Sequence, residues 1–252
     1  MSSSVFGESM MGRDAFFALL EREGLKLKRP KPRHTTNSNH RFHKWKNLIK
    51  NYIPLCANRL WVSDITYVLL SNGKCCYLHL VTDAYSHMVI GWYLSETLEA
   101  KYTVKALRQA INQAQGVDLS GLIHHSDRGV QYCCNAYVEE LQKIGASISM
   151  TEDYKPTDNG IAERVNGIIK MEKLYQVSPY KDIEEARREI GKFITFYNER
   201  RPHMSIGGQT PIVAHQQTGP QKKLWKGWSA KKPGSMAAAA AMEEETAQCL
   251  SF

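Results

Sequence analysis

From Leu60 to Leu70 the chain reads Leu-Trp-Val-Ser-Asp-Ile-Thr-Tyr-Val-Leu-Leu. That β-branched and aromatic run predicts a strand, closed by the turn Ser71-Asn72-Gly73-Lys74. Cys75 to Asp83 and Met88 to Ser95 predict two more strands, joined by short connections into a meander. Helical spacing takes over from Glu99 to Gln115, where Val104, Leu107, Ala110, Ile111 and Ala114 recur on one stripe. Leu122 to His125 is a short strand, Asn135 to Ile144 a helix stopped by Gly145, and Ser147 to Met150 a fifth strand. Two further helices follow, one opening near Asn159 and one from about Asp182 to Arg200. Upstream, Arg13 to Glu23 is a separate candidate helix, ended by Gly24. A meander followed by alternating helices and strands predicts an α/β fold with a mixed five-stranded sheet flanked by helices.

The helix near Asn159 has an unusual face. Asp158 or Asn159 serves as its N-cap, and Pro156 keeps the preceding loop out of helical geometry. At about 3.6 residues per turn, Glu163, Asn166 or Gly167, and Lys170 stack along one side. Ile161, Val165, Ile168 and Ile169 supply an apolar flank. One face thus presents a carboxylate, a small gap and then a cation.

Composition narrows the class. The chain has 252 residues, enough for a buried core, with 42% hydrophobic and 23% charged positions. No apolar run approaches a membrane span, and Met1-Ser2-Ser3-Ser4-Val5-Phe6 lacks the layout of a signal peptide. The net charge of +8 favours a polyanionic partner. Six cysteines occur without a Cys-x-x-Cys clip, so no zinc site is expected, and a reduced, cytosolic protein is the simplest reading.

The positive charge is concentrated. From Leu25 to Tyr52 there is no acidic residue, while Lys26, Lys28, Arg29, Lys31, Arg33, Arg41, Lys44, Lys46 and Lys50 are all cationic. Pro30, Pro32 and the cluster Thr35 to Asn39 predict an extended arm, and a basic arm is the expected footprint for phosphate contacts along DNA. Beyond His203 the pattern fades into a basic segment with Trp225 and Trp228, then Ala-rich low complexity and Glu243-Glu244-Glu245. The expected organisation is an N-terminal helix and basic arm over 1–55, a core over 56–216 and a tail over 217–252.

Three carboxylates stand out. Asp64 lies mid-strand among Trp61, Val62, Ile65 and Tyr67, where a half-buried charge needs a partner or a metal. Asp127 follows a strand end in Ser126-Asp127-Arg128-Gly129, the place where open α/β sheets put their sites. Asp83, at another strand exit, fits a turn role better. Between Asp64 and Asp127 lie 62 residues (127 − 64 − 1), and between Asp127 and Glu163 lie 35 (163 − 127 − 1).

With those spacings the sequence resembles the DDE transposases and retroviral-type integrases, whose second Asp and Glu are commonly 35 residues apart. It is most similar to the OrfB transposases of bacterial insertion sequences of the third type. The likeness is carried by Trp61-Val62-Ser63-Asp64-Ile65-Thr66-Tyr67, by His125-Ser126-Asp127-Arg128-Gly129-Val130-Gln131-Tyr132 and by Asn159 to Gly167. Asn198-Glu199-Arg200-Arg201-Pro202-His203 and Thr210-Pro211 look like the closing segment of that family.

The resemblance implies a ribonuclease-H-like fold and metal-dependent DNA cleavage and strand transfer. It implies Asp64, Asp127 and Glu163 as catalytic ligands of two Mg²⁺ ions, with Mn²⁺ as a substitute, and Lys170 against a phosphate near the cut. It further implies element-end and target DNA as partners, a homo-oligomer, a bacterial, nucleoid-associated location in the cytoplasm, and a helix-turn-helix protein from an upstream frame. This chain is expected to start downstream of such a module, as a fragment, an OrfB-like product or a decayed copy. Two other readings stand beside it. One is a nuclease acting on RNA–DNA hybrids, with Glu96 or Glu99 near the start of the first core helix as a fourth carboxylate. The other is a catalytically silent DNA-binding remnant.

Overall fold

Strand β1 (Leu60–Leu69) is the axis of the molecule, paired antiparallel to β2 (Cys75–Asp83) on one side and parallel to β4 (Ile123–Ser126) on the other. With β3 (Val89–Ser95) and β5 (Ser147–Met150) the sheet runs β3-β2-β1-β4-β5, antiparallel in the meander and parallel across β1, β4 and β5. This computed structural model describes residues 12–25, 39–152, 159–176, 179–222 and 224. Helix α1 (Arg13–Arg22) forms a separate unit, ending at Gly24 with its φ of +68°.

The two faces of the sheet are filled by different helices because side chains alternate along a strand. On one face Trp61 and Ile65 of β1 pack with α2 (Ala100–Gln113) and α4 (Asn135–Lys143), around Leu107, Tyr137 and Leu141. On the other, Val68, Leu78, Leu80 and Leu94 meet α5 (Gly160–Ile169) and α6 (Ile183–Glu199) through Val165, Ile169, Ile190 and Ile194. A third, smaller cluster joins Leu60 and Val62 to Ala162. Asp64 belongs to the α5 face, in a row with Val62, Thr66 and Val68, each at most 2% exposed.

All five predicted strands and the core helices form, with ends shifted by a residue or two. Helices α3 (Val130–Cys133) and α7 (Pro211–Ala214) go unpredicted because four residues show no periodicity. A π-helical turn, Lys170–Leu174, continues α5 and also leaves no sequence mark. The segment from His40 to Tyr52 runs across the core. Trp45, Asn47 and Ile49 turn inward while Arg41, Lys44, Lys46 and Lys50 remain exposed. It covers the outer edge of β5, where the Met150 amide donates to the Lys46 carbonyl at 3.3 Å and the Leu48 amide to Ser149 Oγ at 2.9 Å.

Among the described residues Cys75, Cys76, Cys133 and Cys134 are free thiols. Among the described residues no helix is long and apolar enough to cross a membrane.

Candidate active site

The register of β1 against β4 pairs Leu60 with Ile123, Trp61 with His124 and Val62 with His125, a constant offset of 63 (123 − 60). Carried two residues past the last pair, the same offset sets Asp64 opposite Asp127. Both carboxylates therefore sit where parallel pairing ends and the strands part, at the carboxyl end of β4. Each is half-buried. Burial first, then the charge of Asp127, raises the Asp64 carboxyl from 3.8 to about 7. Asp127 is shaped by its own turn: the Gly129 amide donates to its Oδ1 at 2.9 Å. A Cβ at position 129 would stand 2.9 Å from that oxygen, so a larger residue there would shift the Asp127 carboxylate.

Helix α5 brings the remaining polar groups to Asp64. Asn166, 3% exposed, donates from Nδ2 to Asp64 Oδ2, and the Ile65 amide donates to Oδ1 at 2.8 Å. Asn159, at the start of the helix, caps no backbone amide and instead donates to the Ser63 carbonyl at 3.2 Å. Asp158 lies outside the described residues. Lys170, half-buried one turn past Asn166, lowers the Asp64 pKa through its charge. Of the predicted Glu163–Asn166–Lys170 face, Asn166 and Lys170 act on Asp64, and the apolar flank buries Val165 and Ile169, with Ala162 joining them.

Glu163 itself is exposed, in the first turn of α5. Burial alone raises its carboxyl, and neither aspartate contributes. Among the described residues no group of three His, Cys, Asp or Glu side chains is gathered closely enough to hold a metal ion. The fold brings Asp64, Asp127, Asn166 and Lys170 together and leaves Glu163 one helical turn from Asn166. A paired set of hard oxygen donors that disfavour each other's charge still fits a divalent cation, which would remove that penalty.

Helical spacing set Asn166 or Gly167 between Glu163 and Lys170 but gave neither a role. The signal for Asn166 in the sequence was its position three residues past Glu163, on the same side of the helix. Removing it by Asn166→Ala should push the Asp64 pKa above about 7, because its hydrogen bond favours the charged carboxylate. A carbon-detected NMR titration of metal-free protein reads this directly, and an unmoved Asp64 pKa would count against the contact.

Asp83, in contrast, is fully buried in a structural turn. It accepts from the Asn58 amide at 2.7 Å and from the Ser86 amide and hydroxyl at 2.8 Å. Glu99 accepts from Thr97 and pairs with Lys101 at the start of α2, both at 2.7 Å. Of the arm, Arg41, Lys44 and Lys46 are exposed on the covering segment, and His40 Nε2 lies 2.9 Å from the Arg128 carbonyl beside Asp127. Lys26, Lys28, Arg29, Lys31 and Arg33 lie outside the described residues.

A mixed five-stranded sheet with two aspartates at the parting of its central parallel strands defines a ribonuclease-H-like catalytic core of the integrase type. Two Integrase core domain families match this chain, one over residues 54–156 and the other over residues 144–211. A 31 kDa protein of insertion element IS600 from Shigella sonnei is 33% identical over 211 residues, covering 82% of this chain and 76% of that one. The chain belongs to the DDE transposase/integrase family.

The transposase of insertion sequence element IS904 from Lactococcus lactis is 32% identical over 167 residues, 66% of this chain and 64% of that protein. A Mycobacterium tuberculosis protein named for the transposase of IS986/IS6110 is 34% identical over 166 residues; this chain spans 59% of its length. Among solved structures, the HTLV-2 integrase catalytic core domain in complex with magnesium superposes with a TM-score of 0.50 at 23% identity. That match covers 65% of this chain and 100% of the core domain. A chain of the simian T-cell lymphotropic virus intasome gives 0.55 at 19% identity, covering 80% of this chain and 66% of that one. At such identities the likeness is one of fold.

Proposed function

We propose that this chain is a DDE-type polynucleotidyl transferase that nicks DNA at the end of an insertion sequence and joins the freed 3′-OH to a target strand. The observation that carries this reading is the β1–β4 register, which sets Asp64 opposite Asp127. Asp64, Asp127 and Glu163 would hold two Mg²⁺ ions, or Mn²⁺ in their place. Bound there, the ions would neutralise charge building on the phosphate and on the attacking and leaving oxygens.

The protein's own groups do the rest. The Asn166 side-chain amide and the Ile65 backbone amide each hold one oxygen of Asp64 and so fix its rotamer. Lys170 supplies a point charge for a phosphate next to the cut, orienting DNA without taking part in bond making. Arg41, Lys44 and Lys46, exposed on the segment beside the Asp127 turn, extend the cationic path along the backbone. Lys26, Lys28, Arg29, Lys31 and Arg33, which lie outside the described residues, are proposed as further phosphate contacts on the strength of the sequence alone. The enzyme works as a homo-oligomer on paired element ends, with end recognition supplied by a helix-turn-helix protein from an upstream frame.

Two assays test this. Full-length protein is incubated with supercoiled plasmid and a short duplex in Mg²⁺, Mn²⁺ or a chelator. Nicked and joined products should form with either metal and vanish with the chelator. Glu163→Gln should lower both products by about 10³-fold or more, since loss of one member of a cooperating set costs on that scale. Metal-independent cleavage would remove this assignment, and full activity in Glu163→Gln would remove Glu163 from it. Nicking without any joining would favour the nuclease reading instead.

A further inference from the structure

The π turn after α5 needs an explanation, because such turns are rare and persist where other contacts hold them. Its defining bond is the Tyr175 amide donating to the Lys170 carbonyl at 2.9 Å, five residues back. Gln176 Nε2 closes the turn on the Met171 carbonyl at 2.7 Å. Two side chains on the turn reach α6 and its end. Glu172 takes a two-pronged pair from Arg201, with Nε on Oε2 at 2.7 Å and Nη2 on Oε1 at 2.5 Å. Lys173 Nζ meets Glu189 Oε2 at 3.2 Å.

Arg201 stands on rigid ground. It lies two residues past the end of α6, whose Asn198 side-chain amide accepts from the Val89 amide and donates to the Val89 carbonyl, both at 2.9 Å. Tyr197 is fully buried and donates to the His87 carbonyl at 3.1 Å, and His203 packs edge-on against its ring. The motif Asn198 to His203, which spacing arguments left without a task, thus ties the end of α6 to the first residue of β3. The same motif offers a planar guanidinium to Glu172, a geometry a point charge does not supply.

We infer that the Glu172–Arg201 pair, with Lys173–Glu189 beside it, is a clamp that fixes the π turn and so sets Lys170 and Asn166 against Asp64. Glu172 and Arg201 are positioning residues, and the part of this inference that concerns DNA rests on the function proposed above. The ordinary alternative is a partly exposed ion pair that contributes little beyond local stability. The two readings differ in sign for Glu172→Gln. Deleting an anion near a DNA-binding face should strengthen or preserve binding if electrostatics alone operate. Releasing a clamp on Lys170 should weaken it.

The test uses a short labelled duplex of arbitrary sequence and the full-length chain, with binding followed across a salt series. Glu172→Gln should weaken binding and reduce the salt slope by about one, as should Lys170→Ala, since each loses one phosphate contact. The double variant should match Lys170→Ala alone, and the charge-swapped pair E172R/R201E should recover the wild-type slope. Equal or tighter binding by Glu172→Gln, or additive losses in the double variant, would overturn the clamp. A second measurement stands apart from DNA: the Asn166 side-chain amide resonance in NMR should move in Glu172→Gln and return in the swapped pair. If the wild-type protein fails to bind duplex, the proposed function falls, while this resonance still decides the clamp: movement supports it and an unmoved signal overturns it.

Discussion

Asp64→Asn should abolish DNA nicking and joining while leaving duplex affinity within about twofold, because it removes a charged metal ligand at nearly constant volume. Activity should fall by about 10³-fold or more, and adding Asp127→Asn should cost little further, since the acids act as a unit. The same substitution should raise the thermal stability of metal-free protein. The Asp64 carboxyl is raised from 3.8 to about 7 by burial and then by Asp127, so the folded state disfavours its charged form. Below the unfolded value the group is protonated in both states and carries no penalty. Between about pH 4 and 7 the folded state binds more protons than the unfolded one, so stability falls as pH rises, and above about 7 the full penalty is present.

An amide at position 64 cannot ionise. Its gain in midpoint should therefore be larger at pH 8 than at pH 4, at about 2–4 °C for each kcal/mol relieved in a chain of this size. The amide keeps an oxygen for the Ile65 N–H, and Asn166 can turn its own side chain so that its oxygen accepts. Calorimetry at the two pH values, paired with a plasmid nicking assay, checks both halves. Equal midpoints for wild type and Asp64→Asn at pH 8 would show that the carboxyl is not held in a costly environment.

The largest loss of stability should come from Gly91→Ala. Gly91 lies on β3 where α2 crosses it, and an added Cβ would fall on the Ala106 carbonyl oxygen and stand 2.9 Å from the Ala110 backbone nitrogen. These are backbone atoms within a helix, so no side-chain rotation relieves the overlap. Strand and helix must separate, disturbing Val81, Leu107 and Ala110 in the buried cluster beneath. Overpacking of a tight core costs about 1–3 kcal/mol, and a clash with backbone belongs at or above the top of that range. Gly91→Ala should therefore lower the midpoint by about 6 °C or more, given about 2–4 °C per kcal/mol. A shift under about 2 °C in a thermal melt would mean that α2 does not approach the strand this closely. The site is untouched by this change, so activity per folded molecule should persist at low temperature.

The strands were legible because their residues carry the evidence locally. β1 to β3 are β-branched and aromatic, bounded by Ser71-Asn72-Gly73-Lys74 and by the turn at Asp83 to His87, and no tertiary contact was needed to read them. Helices α2, α4 and α6 announce themselves by apolar periodicity over nine or more residues. The π turn and the four-residue helices carry no such record, since one turn is too short for a period and π geometry depends on what holds it. The role of residues 40–52 was equally hidden. Alternation of Trp45, Asn47 and Ile49 with cations is weak on its own, and only the open edge of β5 turns it into a covering segment.

For the site, the sequence alone determined which acids are in question and their order, because Asp64, Asp127 and Glu163 sit in local motifs whose spacing is countable. It also placed Asn166 or Gly167, and Lys170, on the face of Glu163, since helical geometry fixes which residues share a side. Tertiary structure alone decided how those groups meet. The β1–β4 register sets Asp64 opposite Asp127, the packing of α5 on β1 brings the Asn166 amide to Asp64, and Arg201 meets Glu172 from 29 residues away. Side-chain periodicity within an element is set by backbone geometry and so is written along the chain. The meeting of two elements depends on register and burial, which arise only when both faces are covered at once.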